Sequence, residues 1–162
     1  MTVVDNAVYA DGRRCVAPQS PEATRELLRE RNAGGSECLA WIGLYRPDEQ
    51  EIASVAAEFG LHELAVEDAV HAHQRPKLER YGDTLFAVLR PARYVDPTEV
   101  VEVGEVHAFI GEDFVITIRH AAEPDLAQVR QRLEAEPDLL NAGRWRCSTR
   151  SWTGSWTTTN PC

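Results

Sequence analysis

The segment Cys38–Tyr45 is an almost unbroken apolar run, CLAWIGLY, and it constrains the fold more than any other part of the chain. A strand with water on one face alternates apolar and polar residues, whereas a strand covered on both faces is apolar throughout. We therefore predict a strand here that other elements cover on both sides.

The segments around this strand alternate between helical and extended patterns. Asp11-Gly12 is a favoured two-residue hairpin turn between extended segments at 7–10 and 13–16. Capping and stop signals predict helices from Ser20-Pro21, from Pro47-Asp48 to Gly60, from His62 to His71 and from Pro124. Further strands are predicted near 84–94, 100–110 and 114–119. Hairpins among interleaved helices favour an α/β fold, with a mixed β-sheet sandwiched between helices, over a pure βαβ repeat.

Helical and strand periodicity also predict which side chains are buried. In the third helix we expect an apolar stripe formed by Leu64 and Ala65 with Ala69 or Val70. In the last helix we expect a stripe formed by Leu126, Val129 and Leu133. In the central sheet we expect burial of Leu85, Phe86, Val88, Ile116 and Ile118.

Composition limits the functional classes. The 162 residues suit one domain with a core, and the formal net charge of −9 argues against nucleic-acid partners and against docking on anionic lipid. The sequence contains no run of about 18 apolar residues, the length that could span a bilayer. We also expect no signal peptide at Met1, because no basic-then-apolar segment follows it. The four cysteines have no CxxC spacing, so we expect reduced thiols.

The most distinctive motif lies at residues 64–77, LAVEDAVHAHQRPK. It reads as an amphipathic helix that carries two adjacent carboxylates, Glu67 and Asp68, and continues into a basic loop that Pro76 stiffens. Adjacent helical residues point about 100° apart, so these two acids do not form a tight acid/base pair. They could instead reach a hard cation such as Mg²⁺, which keeps several waters and takes one or two carboxylates.

This motif closely resembles the signature of the cytoplasmic N-terminal domain of CorA-type magnesium transporters. Residues 41–44 (WIGL), 59–62 (FGLH), 77–81 (KLERY) and 85–90 (LFAVLR) resemble the flanking segments of that family. The resemblance extends over about residues 38–136. It implies an α/β/α sandwich, and it implies that the chain is the regulatory part of a magnesium or cobalt transporter. No GxSxG, P-loop or GxGxxG motif occurs, so we expect that the chain is not an enzyme.

The resemblance also implies partners and a site. The intact family protein is a homopentamer in the inner or plasma membrane with this domain on the cytoplasmic side, so neighbouring identical subunits are the expected partners. The acidic pair of the family contributes to regulatory divalent-cation sites between subunits, which makes Asp68 the first and Glu67 the second candidate metal ligand. We expect weak, regulatory binding of Mg²⁺, or of Co²⁺. The alternatives are a solvated helix face or a stand-alone divalent-metal-binding module.

Other chemistry has weaker support. His62, His71 and His73 with Glu67 could form a zinc site, but there is no HExxH or CxxC motif; histidines at a helix C-terminus also suit the helix dipole. A small metal-dependent hydrolase that uses His71 or His73 is a further alternative. The cations of Arg75-Pro76-Lys77 could bind an anion, although salt bridges within the domain are the preferred interpretation.

The last part of the chain differs from the rest. Residues 142–162 hold three of the four tryptophans and no Val, Ile, Leu, Met or Phe. We predict a CorA-like cytoplasmic regulatory domain at 1–141 and a disordered, non-family tail at 142–162. Plausible codons for the tail, read two bases later, allow an amphipathic helix similar to the one that follows the family's N-terminal domain. We expect a frameshift that truncates a transporter before its pore; a natural tail is the alternative, and the coding DNA decides between them.

Overall fold

The computed structural model describes residues 3–96, 99–122 and 126–142. The strands are β1 (Val3–Ala10), β2 (Arg13–Val16), β3 (Cys38–Tyr45), β4 (Lys77–Tyr81), β5 (Thr84–Leu89), β6 (Ala92–Val95), β7 (Val100–Val103), β8 (Val106–Ile110) and β9 (Phe114–Arg119). The helices are α1 (Pro21–Ala33), α2 (Glu49–Phe59), α3 (Glu63–His71), α4 (Leu126–Glu134) and α5 (Pro137–Ala142). No helix in these ranges is long and apolar enough to cross a bilayer.

Seven strands form one mixed sheet in the order β2-β1-β3-β9-β8-β5-β4. The β3–β9 pair is parallel, with Ile42 opposite Ile116, and the other pairs are antiparallel. The apolar strand β3 lies near the centre of this sheet, and all its residues except Tyr45 are buried. The predicted strand that is covered on both faces is therefore confirmed.

Helices cover the two faces of the sheet with separate apolar clusters. On one face, α1, α2 and α3 contribute residues such as Leu28, Ile52 and Ala69 to the main core. On the other face, Leu140 of α5 and Leu133 of α4 pack with Tyr9 and Trp41. The fold is the predicted α/β fold, in which a mixed sheet lies between helices.

The predicted turn and cap signals act locally as expected. Asp11 and Gly12 have φ values of 51° and 72°, the left-handed pair that a tight two-residue hairpin needs. The Ser20 hydroxyl accepts a hydrogen bond from the Ala23 amide at 3.2 Å and begins α1. Asp48 forms a capping box at the start of α2, and Gly60 ends that helix with a φ of 64°.

Two predicted strands were too long. The segments 84–94 and 100–110 each divide into two strands, at Pro91 and at Gly104. Proline lacks the N–H that a ladder requires, and the Gly104 amide donates to the Pro91 carbonyl at 2.8 Å where the chain leaves the sheet. The second part of the first segment, β6, pairs with the first part of the second segment, β7, as a separate two-stranded sheet.

Two predicted stripe residues and one sheet residue differ from expectation. Leu64 is 55% exposed, because α3 turns Ala65 and Ala69 to the core instead. Val129 is 44% exposed, and the next residue, Arg130, is buried with its guanidinium 4.4 Å from the Trp41 ring centroid. Leu85 is only half-buried, whereas the other four predicted sheet residues are buried.

Some predictions lie outside the described residues. The predicted start of the last helix at Pro124 is one, and the predicted tail is another, except for Ala142 at the end of α5.

Candidate functional site

Helix α3 carries the two candidate metal ligands and is held at both ends by histidines. His62 caps the helix, since its Nδ1 accepts a hydrogen bond from the Leu64 amide at 3.3 Å. The same imidazole stacks on Tyr81 of β4, with ring centroids 4.4 Å apart. At the other end, His71 Nδ1 lies 2.8 Å from the Glu67 carbonyl oxygen. This placement favours a capping role for His71 at the helix C-terminus.

The two acids of the motif have different surroundings. The Glu67 side chain is exposed, whereas Asp68 is half-buried and faces β4. Asp68 Oδ2 accepts a hydrogen bond from Lys77 Nζ at 2.6 Å. Asp68 therefore already holds a cation, which is the ammonium group of the chain's only lysine.

Strand β4 contributes a second carboxylate to this ammonium. Lys77 Nζ lies 2.9 Å from Glu79 Oε2, and the Tyr81 hydroxyl donates to the same oxygen at 2.9 Å. The Phe86 ring centroid is 5.7 Å from Nζ. Hydrogen bonds to Asp68 and then Glu79 raise the pKa of Lys77, and the hydrogen bond from Lys77 lowers the pKa of Glu79. The amine thus stays charged at neutral pH.

This arrangement is a cation held between two carboxylates from different elements. Hard divalent cations take oxygen ligands of this kind, so a metal ion at Asp68 must compete with the Lys77 ammonium. Sequence reasoning missed Glu79 as a partner. The available signal was the alternation of Lys77, Glu79 and Tyr81, which places all three on one face of a strand.

The other candidate groups are not brought together. His62 lies before the first residue of α3, while His71 and His73 lie at or beyond its last residue. Among the described residues, no group of three or more His, Cys, Asp or Glu side chains could hold a metal ion. The structure therefore lends no support to the zinc alternative. Lys77 forms salt bridges within the domain, as preferred, and Arg75 is exposed.

The two described cysteines are both free thiols, Cys15 exposed and Cys38 buried. The other two, Cys147 and Cys162, lie outside the described residues.

A buried acid–imidazole pair lies behind the loop that follows α3, and sequence reasoning did not single it out. Glu105 Oε1 accepts a hydrogen bond from His107 Nε2 at 2.7 Å, and the two residues are 6% and 0% exposed. The His120 ring lies 5.4 Å from the His107 ring. The signal was an acid two positions before a histidine, at the start of the apolar segment 106–110.

Burial controls the protonation of this pair. Burial lowers the pKa of His107 below its usual value, and this effect exceeds the opposing attraction of Glu105; the positive charge of a protonated His120 lowers it further. The hydrogen bond from His107 helps to lower the pKa of Glu105 despite burial, and Arg90 acts in the same direction. At neutral pH the pair is a neutral imidazole that donates to an ionised carboxylate.

A pH-dependent loss of stability follows from the lowered pKa of His107. As the pH falls below about 6.5, the unfolded chain takes up a proton at this residue that the folded chain resists. The contribution of His107 to the free energy of unfolding is thus fully present above about pH 6.5. It is lost on acidification, with a slope of at most about 1.4 kcal/mol per pH unit. We expect His107→Gln, which keeps a donor for Glu105, to reduce the stability difference between pH 7.5 and 5.5 in chemical denaturation.

The matched control for this prediction is His73→Gln. His73 is exposed and follows α3, so its replacement should leave the pH dependence of unfolding close to that of the parent. An unchanged pH dependence in His107→Gln would contradict the role assigned to the buried imidazole.

Comparisons with known proteins point in one direction. The family described as CorA-like Mg²⁺ transporter protein matches residues 36–146, which is more than half of the chain. The protein YfjQ of Bacillus subtilis is 39% identical over 103 residues, covering 64% of this chain and 31% of that protein. The cobalt/magnesium transport protein CorA of Thermotoga maritima is 27% identical over 107 residues, covering 64% of this chain and 30% of that protein.

Solved structures share the fold at low sequence identity. The full-length CmaX protein aligns with a TM-score of 0.58 at 19% identity, covering 82% of this chain and 39% of that one. The soluble domain of CorA from Methanocaldococcus jannaschii aligns with a TM-score of 0.55 at 14% identity, covering 83% of this chain and 48% of that one. At these identities the likeness concerns the fold alone.

Proposed function

Because the chain belongs to the CorA-like Mg²⁺ transporter family, we propose that it forms the regulatory, metal-sensing domain of a divalent-cation transporter. This family consists of metal ion transporters and not of enzymes. In this proposal the domain lies on the cytoplasmic side of the inner or plasma membrane and senses Mg²⁺ or Co²⁺.

The chain covers only part of the length of its relatives, and this decides where we place ion conduction. It covers about a third of the length of the curated relatives that it matches. We therefore assign conduction to the parts of such a protein that this chain does not span, and we assign sensing to the domain described here. Neighbouring copies of the chain are the proposed partners, as in a homopentamer, since one or two carboxylates leave most positions around Mg²⁺ to water or to another subunit.

The observation that carries the sensing role is the Asp68 carboxylate on α3. It lies within the family-matched segment and already binds a cation, Lys77 Nζ, at 2.6 Å. Glu67, exposed on the same helix, is the second proposed ligand. We propose that a divalent cation binds Asp68 in competition with the ammonium, with remaining ligands from water and from a neighbouring subunit.

Metal titrations of the isolated chain test this site. Lys77 occupies Asp68 and the partner ligands are missing, so millimolar Mg²⁺ should barely raise the melting temperature; a ligand far below its Kd adds almost no stability. Lys77→Met should free two carboxylates and make Mg²⁺ measurably stabilising. Asp68→Asn in the Lys77→Met background should abolish that stabilisation.

The matched control is Glu63→Gln, an exposed acid in the first turn of α3, which should leave the Mg²⁺ response of Lys77→Met intact. If Lys77→Met and its Asp68→Asn double variant respond equally to Mg²⁺, Asp68 is not a ligand. Tight, saturable Mg²⁺ binding by the unmodified chain would instead favour the alternative, a stand-alone divalent-metal-binding module. The position of Glu79 favours this second function. With Asp68 it places two carboxylates of one chain around a single cation, the Lys77 ammonium.

A further inference from the structure

The loop between α3 and β4 has a conformation that needs external support. Ala72 and His73 have φ values of 47° and 57°, in the left-handed region that side chains other than glycine rarely adopt. Two such residues in succession persist only where surrounding contacts determine the backbone. The loop matters because it sets where β4 begins, and Lys77 is the first residue of β4.

The support comes from both sides of one residue, Gln74. Its amide donates to Glu105 Oε1 at 3.2 Å, and its carbonyl oxygen accepts from Arg90 Nη1 at 3.5 Å. Glu105 is the stronger anchor, because a buried carboxylate is a charge-assisted acceptor. His107, which is fully buried, holds the same oxygen of Glu105 at 2.7 Å.

The end of α3 is anchored on the same side of the sheet. His120 Nε2 lies 3.0 Å from the carbonyl oxygen of Ala69, the buried residue next to Asp68. The two ends of the Asp68–Lys77 ion pair are thus attached to residues that flank neighbouring strands. The loop before Lys77 is attached to Glu105, just before β8, and the last turn of α3 is attached to His120, just after β9.

We propose that Glu105, held by His107, is a positioning residue for the cation site: it fixes the loop that places Lys77 on Asp68. We call the contact of Glu105 with the Gln74 amide the loop clamp; it is argued from the geometry alone. Its consequence for divalent cations rests on the proposed function. In that case Glu105 determines how strongly the Lys77 ammonium competes with a divalent cation for the Asp68 carboxylate.

The test uses two rates measured on the whole chain without metal. The first is hydrogen exchange of the Gln74 amide, which reports the Glu105 contact. The second is acylation of Lys77 by an amine-reactive reagent, read by mass spectrometry; Lys77 is the only lysine, so its peptide reports one side chain. An ammonium released from Asp68 loses a proton more readily and reacts faster, because the hydrogen bond to Asp68 is the largest cause of the raised pKa of Lys77.

We expect Glu105→Ala to speed both rates by roughly tenfold, since it removes the acceptor of the loop amide. Glu105→Gln keeps an oxygen acceptor but loses the charge, so it should speed both rates by about threefold. Glu102→Gln, an exposed acid in β7, should leave both at the level of the parent.

A second control separates positioning from general loss of stability. Val55→Ala removes core packing in α2, away from the loop, and should change the two rates only as far as global unfolding does. The proposal is overturned if Glu105→Gln leaves both rates at the parent level, or if the Glu105 variants change them no more than Val55→Ala at equal melting temperature. Because no metal is present, failure here leaves the Mg²⁺ experiment on Asp68 standing, and failure of that experiment leaves the loop clamp standing.

Discussion

Replacing Ile116 with Asp should cost several kcal/mol of folding free energy, because it places an unpaired carboxylate where neither water nor a cation can reach it. Ile116 lies on β9 between Ile42 of β3 and Phe109 of β8, and it is fully buried. Domains of this kind are stable by about 5–15 kcal/mol, so the loss should be visible as a large drop in the urea midpoint or as failure to fold.

Two companion variants make this result interpretable. Ile116→Val removes one methyl group and should cost about 0.5–1.5 kcal/mol, which keeps the position measurable if the Asp variant does not fold. Leu89→Asp introduces the same charge at a side chain that is 54% exposed, and its unfolding midpoint should stay near that of the parent. Equal losses for Ile116→Asp and Leu89→Asp would contradict the described core.

Replacing Gly12 with Ala should destabilise the chain by about 2–4 kcal/mol, the sum of left-handed backbone strain and overpacking. Gly12 has a φ of 72°, and a Cβ at this position would lie 2.1 Å from the carbonyl oxygen of Pro137. Backbone cannot move aside as a flexible side chain can, so α5 must shift away from the β1–β2 hairpin. Denaturant unfolding measures the loss.

Gly82 provides the control for strain without crowding. It has a φ of 59°, and nothing lies within 4 Å of the position that a Cβ would occupy. Gly82→Ala should therefore cost only the backbone term, about 1–2 kcal/mol. Similar losses for the two glycine variants would show that α5 does not pack on the hairpin as described.

The extent of prediction from sequence can be judged from particular elements. The caps at Ser20 and Asp48, the stop at Gly60 and the turn at Asp11-Gly12 act over three or four residues, so local sequence contains their whole cause. Strand lengths were less predictable. Whether β5 continues past Leu89 depends on which neighbour is available for pairing, and only the assembled sheet determines that.

The candidate site also has features that local sequence predicts and features that depend on long-range contacts. The 64–77 motif identified the helix, its two acids and the following loop, because the amphipathic pattern and the capping signals are local. It did not identify which acid faces a partner. That depends on a loop with two left-handed residues, which brings β4 back along α3 so that Lys77 meets Asp68.

By itself, the sequence determined the α/β class, the resemblance to CorA-type domains and the acidic helix, since periodicity, capping and motif spacing are properties of neighbouring residues. Only the tertiary structure decided that Asp68 is occupied by Lys77, that Glu105 reaches the amide of Gln74 31 residues away, and that Arg130 is buried where Val129 was expected. These outcomes depend on long-range contacts, in which a charged group is buried only where a partner or an aromatic face compensates for its lost hydration.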